Sequence, residues 1–195
     1  RDSRGRSSAR QQREGCAAFG SRVLQGVARM IHGQPVLAVI PARSGSKRCL
    51  GKNFRDFRGR PLYEWSVDAA LRSKYIDAHI VSRDANRPPE LCTDDATNEA
   101  VLHYHLLQWN YEWVVLLQPT SPLRLALDID RCIEIAYDEQ EGACISCRSD
   151  GSKNGAVYVA HSAWIAKNDF TALTAMYYMP DSRSLDIDYA EDFEH

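Results

Sequence analysis

Four cations and two glycines crowd into ten residues, Arg43-Ser-Gly-Ser-Lys47-Arg48-Cys-Leu-Gly-Lys52. A glycine-bearing loop can turn its backbone N–H groups toward an anion, and the cations add charge; the combination suits a triphosphate. A solvated basic loop would have the same composition, so the loop alone leaves both readings open. Near the other end lies Ser184-Leu-Asp-Ile-Asp-Tyr-Ala-Glu-Asp-Phe193. Read as a strand, it points Leu185 and Ile187 one way and Asp186 and Asp188 the other, the two carboxylates about 7 Å apart. Such a pair is a candidate site for Mg²⁺, which takes few carboxylate oxygens and leaves room for phosphates and water. The plainer alternative is an acidic strand end. Cys144-x-x-Cys147 has no second Cys/His pair and falls in an apolar run, which favours a structural role. His103 and His105, two apart on a helix, face different directions, which favours structural roles over a metal pair.

These residues need elements to hold them. Val36 to Ile40 reads as a buried strand feeding the basic loop. Pro61 to Leu71 reads as an amphipathic helix with Pro in its first turn. Ile76 to Ser82 is an alternating strand, and the prolines of Arg87-Pro-Pro-Glu-Leu-Cys-Thr-Asp94 force an extended loop after it. Thr97 or Asn98 caps a helix running to about Trp109. Glu112 to Gln118 is an apolar strand ending in Pro119-Thr-Ser-Pro-Leu-Arg124. Asp128 to Glu139 reads as a helix, and strands follow at Ala143 to Cys147 and Asn154 to Ala160. Alternating helices and strands predict an α/β fold with a doubly wound, mostly parallel sheet. Ligands of such sheets bind beyond the carboxyl ends of the strands, where Gln118, Thr120 and Ser121 fall.

The 195 residues allow one domain with a substantial core, and no apolar run is long enough to span a membrane. Residues 1–34 carry seven Arg and two acidic residues. Arg1 to Arg13 has little to bury and reads as disordered; Ser21 to Ile31 could form a short amphipathic helix. The expected division is therefore an Arg-rich tail, 1–34, and one domain, 35–195. The net charge of −2 leaves the folded part acidic, which argues against a nucleic-acid binder. The chain starts on Arg, as a fragment or processed form would. No secretory signal is evident, so the six cysteines read as reduced thiols of the cytoplasm, with the nucleus as the alternative.

Five strings recur in the order of a known family. Ile40-Pro-Ala-Arg-Ser-Gly-Ser-Lys-Arg-Cys-Leu-Gly-Lys-Asn53, Arg87-Pro-Pro-Glu-Leu-Cys-Thr-Asp94, Leu116-Leu-Gln-Pro-Thr-Ser-Pro-Leu-Arg124, Asn154-Gly-Ala-Val-Tyr158 and Leu185-Asp-Ile-Asp188 resemble motifs of the acylneuraminate cytidylyltransferases, or CMP-sialic acid synthetases. The resemblance implies a Rossmann-like nucleotidyltransferase fold. It also implies transfer of CMP from CTP to the anomeric hydroxyl of a nonulosonic acid, with release of pyrophosphate. By the same resemblance Ala42, Arg43, Ser46, Lys47, Lys52, Asn53 and Arg87 would hold the nucleotide. Gln118, Thr120, Ser121, Tyr158 and Phe170 would meet the sugar, and Asp186 and Asp188 would bind Mg²⁺. Arg43, Lys52, Asp186 and Asp188 are the residues expected to carry the chemistry.

The chain also departs from the pattern. Few residues separate Ser82 from the Arg-Pro segment, where the family has a helix and a strand. Only Arg148 to Lys153 follows Cys147, where the family has a longer region with a basic sugar contact and much of a dimerisation arm. Cys49-Leu50 replaces an apolar residue followed by Pro. The family works as dimers, so a homodimer is expected only where that arm exists. The alternative function is an inactive, shortened relative acting as a nucleotide-binding or interaction module. The sugar (N-acetylneuraminate, legionaminate, pseudaminate or Kdn) is not specified by these motifs.

Overall fold

The computed structural model describes residues 22–23, 30–46, 49–138, 142–172 and 174–194. Lys47 and Arg48, and most of the Arg-rich tail, lie outside the described residues. A seven-stranded sheet runs through the molecule in the order β1 (Arg22–Val23), β5 (Ile76–Ser82), β2 (Val36–Pro41), β6 (Trp113–Leu116), β8 (Lys153–His161), β7 (Ala143–Cys147), β9 (Ala175–Tyr178). β2 pairs in parallel with β5 and β6, and β7 with β9; β1 and β8 run antiparallel to their neighbours. Five of the seven strands thus share one direction, giving the mixed, mostly parallel sheet of an α/β fold. A two-stranded hairpin, β3 (Asp56–Phe57) and β4 (Arg60–Pro61), turns the chain into the first helix.

Helices cover both faces. α1 (Leu62–Arg72) and α3 (Ala126–Asp138) pack on one side. α2 (Asn98–Gln108) and the single turn α4 (Ser162–Ile165) pack on the other. β2 shows why the sheet needs two covers: Val36, Ala38 and Ile40 join the core with α1 and α3, while Leu37 and Val39 join the core with α2 and α4. Successive strand side chains point to opposite faces, and here both faces are dry. α3 answers with Ile129, Cys132, Ile133 and Ala136, a buried stripe at helical spacing. Thr97 Oγ1 accepts the Ala100 N–H at 3.1 Å and starts α2.

Two expectations are corrected and one strand, β9, is new. Arg22–Val23 is a strand on β5 rather than part of a helix, and Ile31 is buried in the core. β9, at a sheet edge, has a sequence too short to announce itself. Ser184 to Asp188 forms no ladder strand, and Glu191–Glu194 closes the segment as a 3₁₀ turn. The expected alternation of Leu185 and Ile187 with Asp186 and Asp188 survives without strand pairing. Ile187 is fully buried with Phe57 and Leu62, and Leu185 packs against the same cluster. Cys144 and Cys147 are both buried in β7, and His105 is buried while His103 faces solvent.

Candidate active site

The carboxyl ends of β2, β5 and β6 open onto one cleft of about 480 Å³, within the range of pockets that hold small ligands. From β2 come Pro41, Arg43, Gly45 and Ser46; Lys52 and Asn53 follow in the same wall. Arg87 and Asp94 come from the proline-stiffened loop, Gln118 and Thr120 from the end of β6, and Asp186 and Asp188 from the last extended segment.

The basic loop is shaped by its own contacts. Asn53, largely buried, donates from Nδ2 to the Arg43 carbonyl at 2.9 Å and ties the two ends together. Gly51 takes φ +67°, a left-handed conformation that a glycine adopts without a Cβ penalty, and starts the 3₁₀ turn Lys52–Phe54. Asp84, just beyond β5, accepts the Ser44 N–H at 2.9 Å and also the Ser44 hydroxyl. Burial pushes the Asp84 carboxyl up, but the two Ser44 hydrogen bonds and the Arg87 charge more than reverse this and leave it below its ordinary value.

Cations and carboxylates are paired across the cleft. Lys52 Nζ donates to Asp188 Oδ1 at 2.9 Å and to the Ile187 carbonyl at 3.0 Å. Arg43 pairs with Asp94. Arg87 is the exception in geometry: its side chain is 2% exposed and its Asp84 partner stands 3.7 Å away, too far for a hydrogen bond. Among the described residues, its Nε and one terminal nitrogen have no hydrogen-bond partner. Buried polar groups are normally satisfied, so this guanidinium is poised for an acceptor that enters the cleft. Behind it, His105 Nε2 shares a 2.9 Å hydrogen bond with Ser82 Oγ. Burial, with the Arg87 charge adding to it, lowers the His105 pKa to about 4, so the ring is neutral at neutral pH.

Asp186 is held differently from Asp188. Burial raises its pKa, the Asp188 charge raises it further, and a Thr120 hydrogen bond and the Lys52 charge oppose the rise. Its Oδ1 is buried and has no hydrogen-bond partner among the described residues. An orphaned carboxylate oxygen beside a second carboxylate suits the donor set of a hard divalent cation, which removes the cost of the buried charge. Among the described residues no cluster of three or more His, Cys, Asp or Glu could hold a metal, so phosphate and water oxygens would complete such a shell.

The segment bearing these acids is clamped from behind. Asp128, fully buried on α3, accepts from Arg183 Nε at 3.0 Å, from a second Arg183 nitrogen at 2.7 Å and from Tyr177 at 3.0 Å. Asn154 donates to Ser184 Oγ at 3.0 Å, and the Ile187 N–H donates to the Thr120 carbonyl at 2.8 Å. Arg124, almost fully buried, fixes the floor: it donates to the carbonyls of Gln118 and Ala156 and to Ser66 Oγ. Burial pulls its pKa down to about 9, against the Asp128 charge, and it stays charged at neutral pH.

Of the residues expected from sequence, Arg43, Ser46, Lys52, Asn53, Arg87, Gln118, Thr120, Asp186 and Asp188 line this one cleft. Lys47 lies outside the described residues. Ala42 turns its side chain into the core, and its N–H donates to the Ser82 carbonyl at 2.8 Å. Ser121 is fully buried beneath the floor. Tyr158 and Phe170 are not among the residues lining this cleft; Phe170 is buried in the core and half-buried Tyr158 packs edge to face on it at 5.0 Å. Burial raises the Tyr158 pKa, and the negative charge of Asp186 adds to the rise. Asp84, Asp94 and Arg124 were not singled out by sequence. Asp94 and Arg124 end motif strings, but only their partners reveal what they hold.

A family profile described as cytidylyltransferase matches residues 37–174. The chain belongs to the cytidylyltransferase family. It is 28% identical, over 82% of its length, to an N-acylneuraminate cytidylyltransferase of Escherichia coli O18:K1:H7. Over 51% of its length it is 34% identical to a CMP-N,N'-diacetyllegionaminic acid synthase of Legionella pneumophila, of which it covers 52%. Among solved structures, a CMP:2-keto-3-deoxy-manno-octonic acid synthetase complexed with CTP superposes with a TM-score of 0.66, covering 82% of this chain and 95% of that one at 12% identity. This likeness shows the nucleotidyltransferase fold. The chain spans about half the length of the curated relatives it matches. The Escherichia coli alignment runs over 211 positions although 82% of 195 residues is only about 160, so roughly fifty aligned positions have no residue here. The profile match ends before Asp186 and Asp188.

Proposed function

We propose that this cytidylyltransferase couples CTP to the anomeric hydroxyl of a nonulosonic acid and releases pyrophosphate. One observation carries the reading: Lys52 of the front loop and Asp188 of the last segment, 136 positions apart, meet at 2.9 Å within a single cleft. The names of the relatives, two of them enzymes of nine-carbon sugar acids, support the substrate class.

The sugar hydroxyl oxygen forms a bond to the α-phosphorus of CTP, the bond from that phosphorus to the bridging oxygen breaks, and pyrophosphate leaves. Such a reaction is accelerated chiefly by positioning and charge neutralisation. Arg43 and Lys52 neutralise the triphosphate, Ser46 and Asn53 steady it, and Arg87 gives its unpartnered nitrogens to the nucleotide. Gln118 and Thr120 orient the sugar. Asp186 and Asp188 would hold the divalent cation, proposed as Mg²⁺. The chemistry such an ion would supply is charge neutralisation at the phosphates and a lower pKa for the attacking hydroxyl. In the free protein Lys52 and Arg43 are occupied by carboxylates. Entry of the triphosphate would draw Lys52 and Arg43 away from Asp188 and Asp94, and Asp188 would then serve as a cation ligand.

The alternative, a non-catalytic nucleotide-binding module, has less support because both the cation-bearing loop and the acid-bearing segment are retained in one cleft. We further propose that residues 35–195, with Ile31 and the strand Arg22–Val23 packed onto them, form the nucleotidyltransferase domain, that the protein works in the cytoplasm, and that any homodimer would close the sugar end of the cleft. No helix among the described residues is long and apolar enough to cross a membrane. Pyrophosphate release from CTP and Mg²⁺ with each of a panel of nonulosonic acids tests the activity. Release with none of them, alongside CTP binding by calorimetry, would replace it with the module.

A further inference from the structure

We infer that Gly155 is the positioning residue for Gln118, and that its missing side chain sets how tightly the sugar acid is held. The inference rests on the proposed sugar contact of Gln118.

Gly155 lies in β8, antiparallel to β6, and β8 therefore passes beneath the turn that follows β6. A Cβ built on Gly155 would stand 2.6 Å from Gln118 Oε1, closer than real Cβ contacts come, and 4.0 Å from Ser121 Oγ. Something must give, and the structure says what. The Gln118 main chain cannot retreat easily: its carbonyl accepts from two Arg124 nitrogens, each at 3.2 Å, from Ser66 Oγ at 3.4 Å and from the Ser121 N–H at 3.3 Å. Nor can the neighbouring strand residues shift freely, since Asn154 and Ala156 are buried in the hydrogen-bond network of Ser146. The free end of the Gln118 side chain is the one soft part of the contact. A methyl group at position 155 would therefore turn the Gln118 amide out of its place in the cleft while leaving the backbone around it intact.

A second effect must be separated from this one. Gly155 has φ +73°, which an L side chain adopts at a cost to stability whatever lies nearby. Gly155→Ala pays that cost in every background, but displaces an amide only where Gln118 is present. The test is a double-mutant cycle with Gly155→Ala, Gln118→Ala and the double variant, reading sugar-acid KM, CTP KM and thermal midpoint. Gly155→Asn carries the same Cβ on a residue that tolerates left-handed backbone, and replaces Gly155→Ala should that variant fail to fold.

The loss of one hydrogen bond predicts a rise of about tenfold in sugar-acid KM for Gly155→Ala and a similar rise for Gln118→Ala, with CTP KM unchanged. The double variant should stay within about twofold of Gln118→Ala, while the fall in midpoint on replacing Gly155 is the same in both backgrounds. A Gly155→Ala effect on KM that persists in full without Gln118 overturns the inference. The Gln118 side-chain amide resonances, assigned by their loss in Gln118→Ala, give a readout that needs no turnover. They must move in Gly155→Ala, and unmoved resonances overturn the inference even if the protein transfers no CMP. A Gln118→Ala variant with normal sugar KM would instead remove the proposed role of Gln118 in sugar binding, and with it the effect on affinity.

Discussion

His105 couples stability to pH through a single buried ring. It lies on α2 with Ser82 Oγ at 2.9 Å on one side and the Arg87 charge nearby. In the unfolded chain its pKa returns to about 6.5, and in the folded chain burial lowers it to about 4. The unfolded chain therefore takes up the proton first as pH falls, and acid draws the equilibrium toward it. Above pH 6.5 the ring is neutral in both states and contributes no slope. Between about 6.5 and 4 it removes about 3 kcal/mol, at roughly 1.4 kcal/mol per unit of pKa difference. His105→Gln keeps a hydrogen-bonding terminus for Ser82 and cannot titrate. Denaturant unfolding of both proteins at intervals from pH 7.5 to 4 isolates the effect, because the carboxylates common to both cancel in the difference. The wild-type curve should fall below that of the variant progressively over this interval. Parallel curves would refute the argument, since they would mean that the ring protonates in the folded state without penalty.

Lys52→Met removes the cation that pairs with Asp188 and is proposed to meet the triphosphate, and should lower kcat/KM for CTP about a hundredfold, as read from initial rates. Asp186→Asn keeps the shape and relieves a buried charge, so the thermal midpoint should hold or rise while divalent-cation binding by calorimetry weakens at least tenfold. Arg183→Met strands the buried Asp128 carboxylate, and should cost about 3 kcal/mol in denaturant unfolding. The same change frees the segment carrying Asp186 and Asp188, so kcat should fall further than the stability loss alone explains.

Much of this molecule could be read locally. Val36 to Pro41 is a strand because its residues suit a sheet buried on both faces, and α3 is a helix because its apolar residues recur every three or four positions. Thr97 announced a cap and used it. β1 and β9 escaped notice because two- and four-residue strands at sheet edges are stabilised by the partner they pair with, not by a pattern of their own. Ser184 to Asp188 was misread as a strand because side chains can alternate between two sides of a segment whether or not a ladder forms. For Tyr158 and Phe170 the residue types alone left open what the rings touch; the fold packs one on the other, with Phe170 buried and Tyr158 half-buried.

The residue types by themselves determined the ingredients: a strand, a glycine-bearing basic turn, a proline-stiffened loop and a pair of acids on one side of an extended segment. Such information is local, since hydrogen-bond donors, left-handed glycines and side-chain period are properties of a few neighbouring residues. Only the folded chain decided that Lys52 would meet Asp188, that Arg87 would be buried with nitrogens to spare, and that Gln118 would rest against a glycine. Those contacts join residues far apart in the chain, and their distances follow from the order of strands in the sheet, which depends on how the whole core packs.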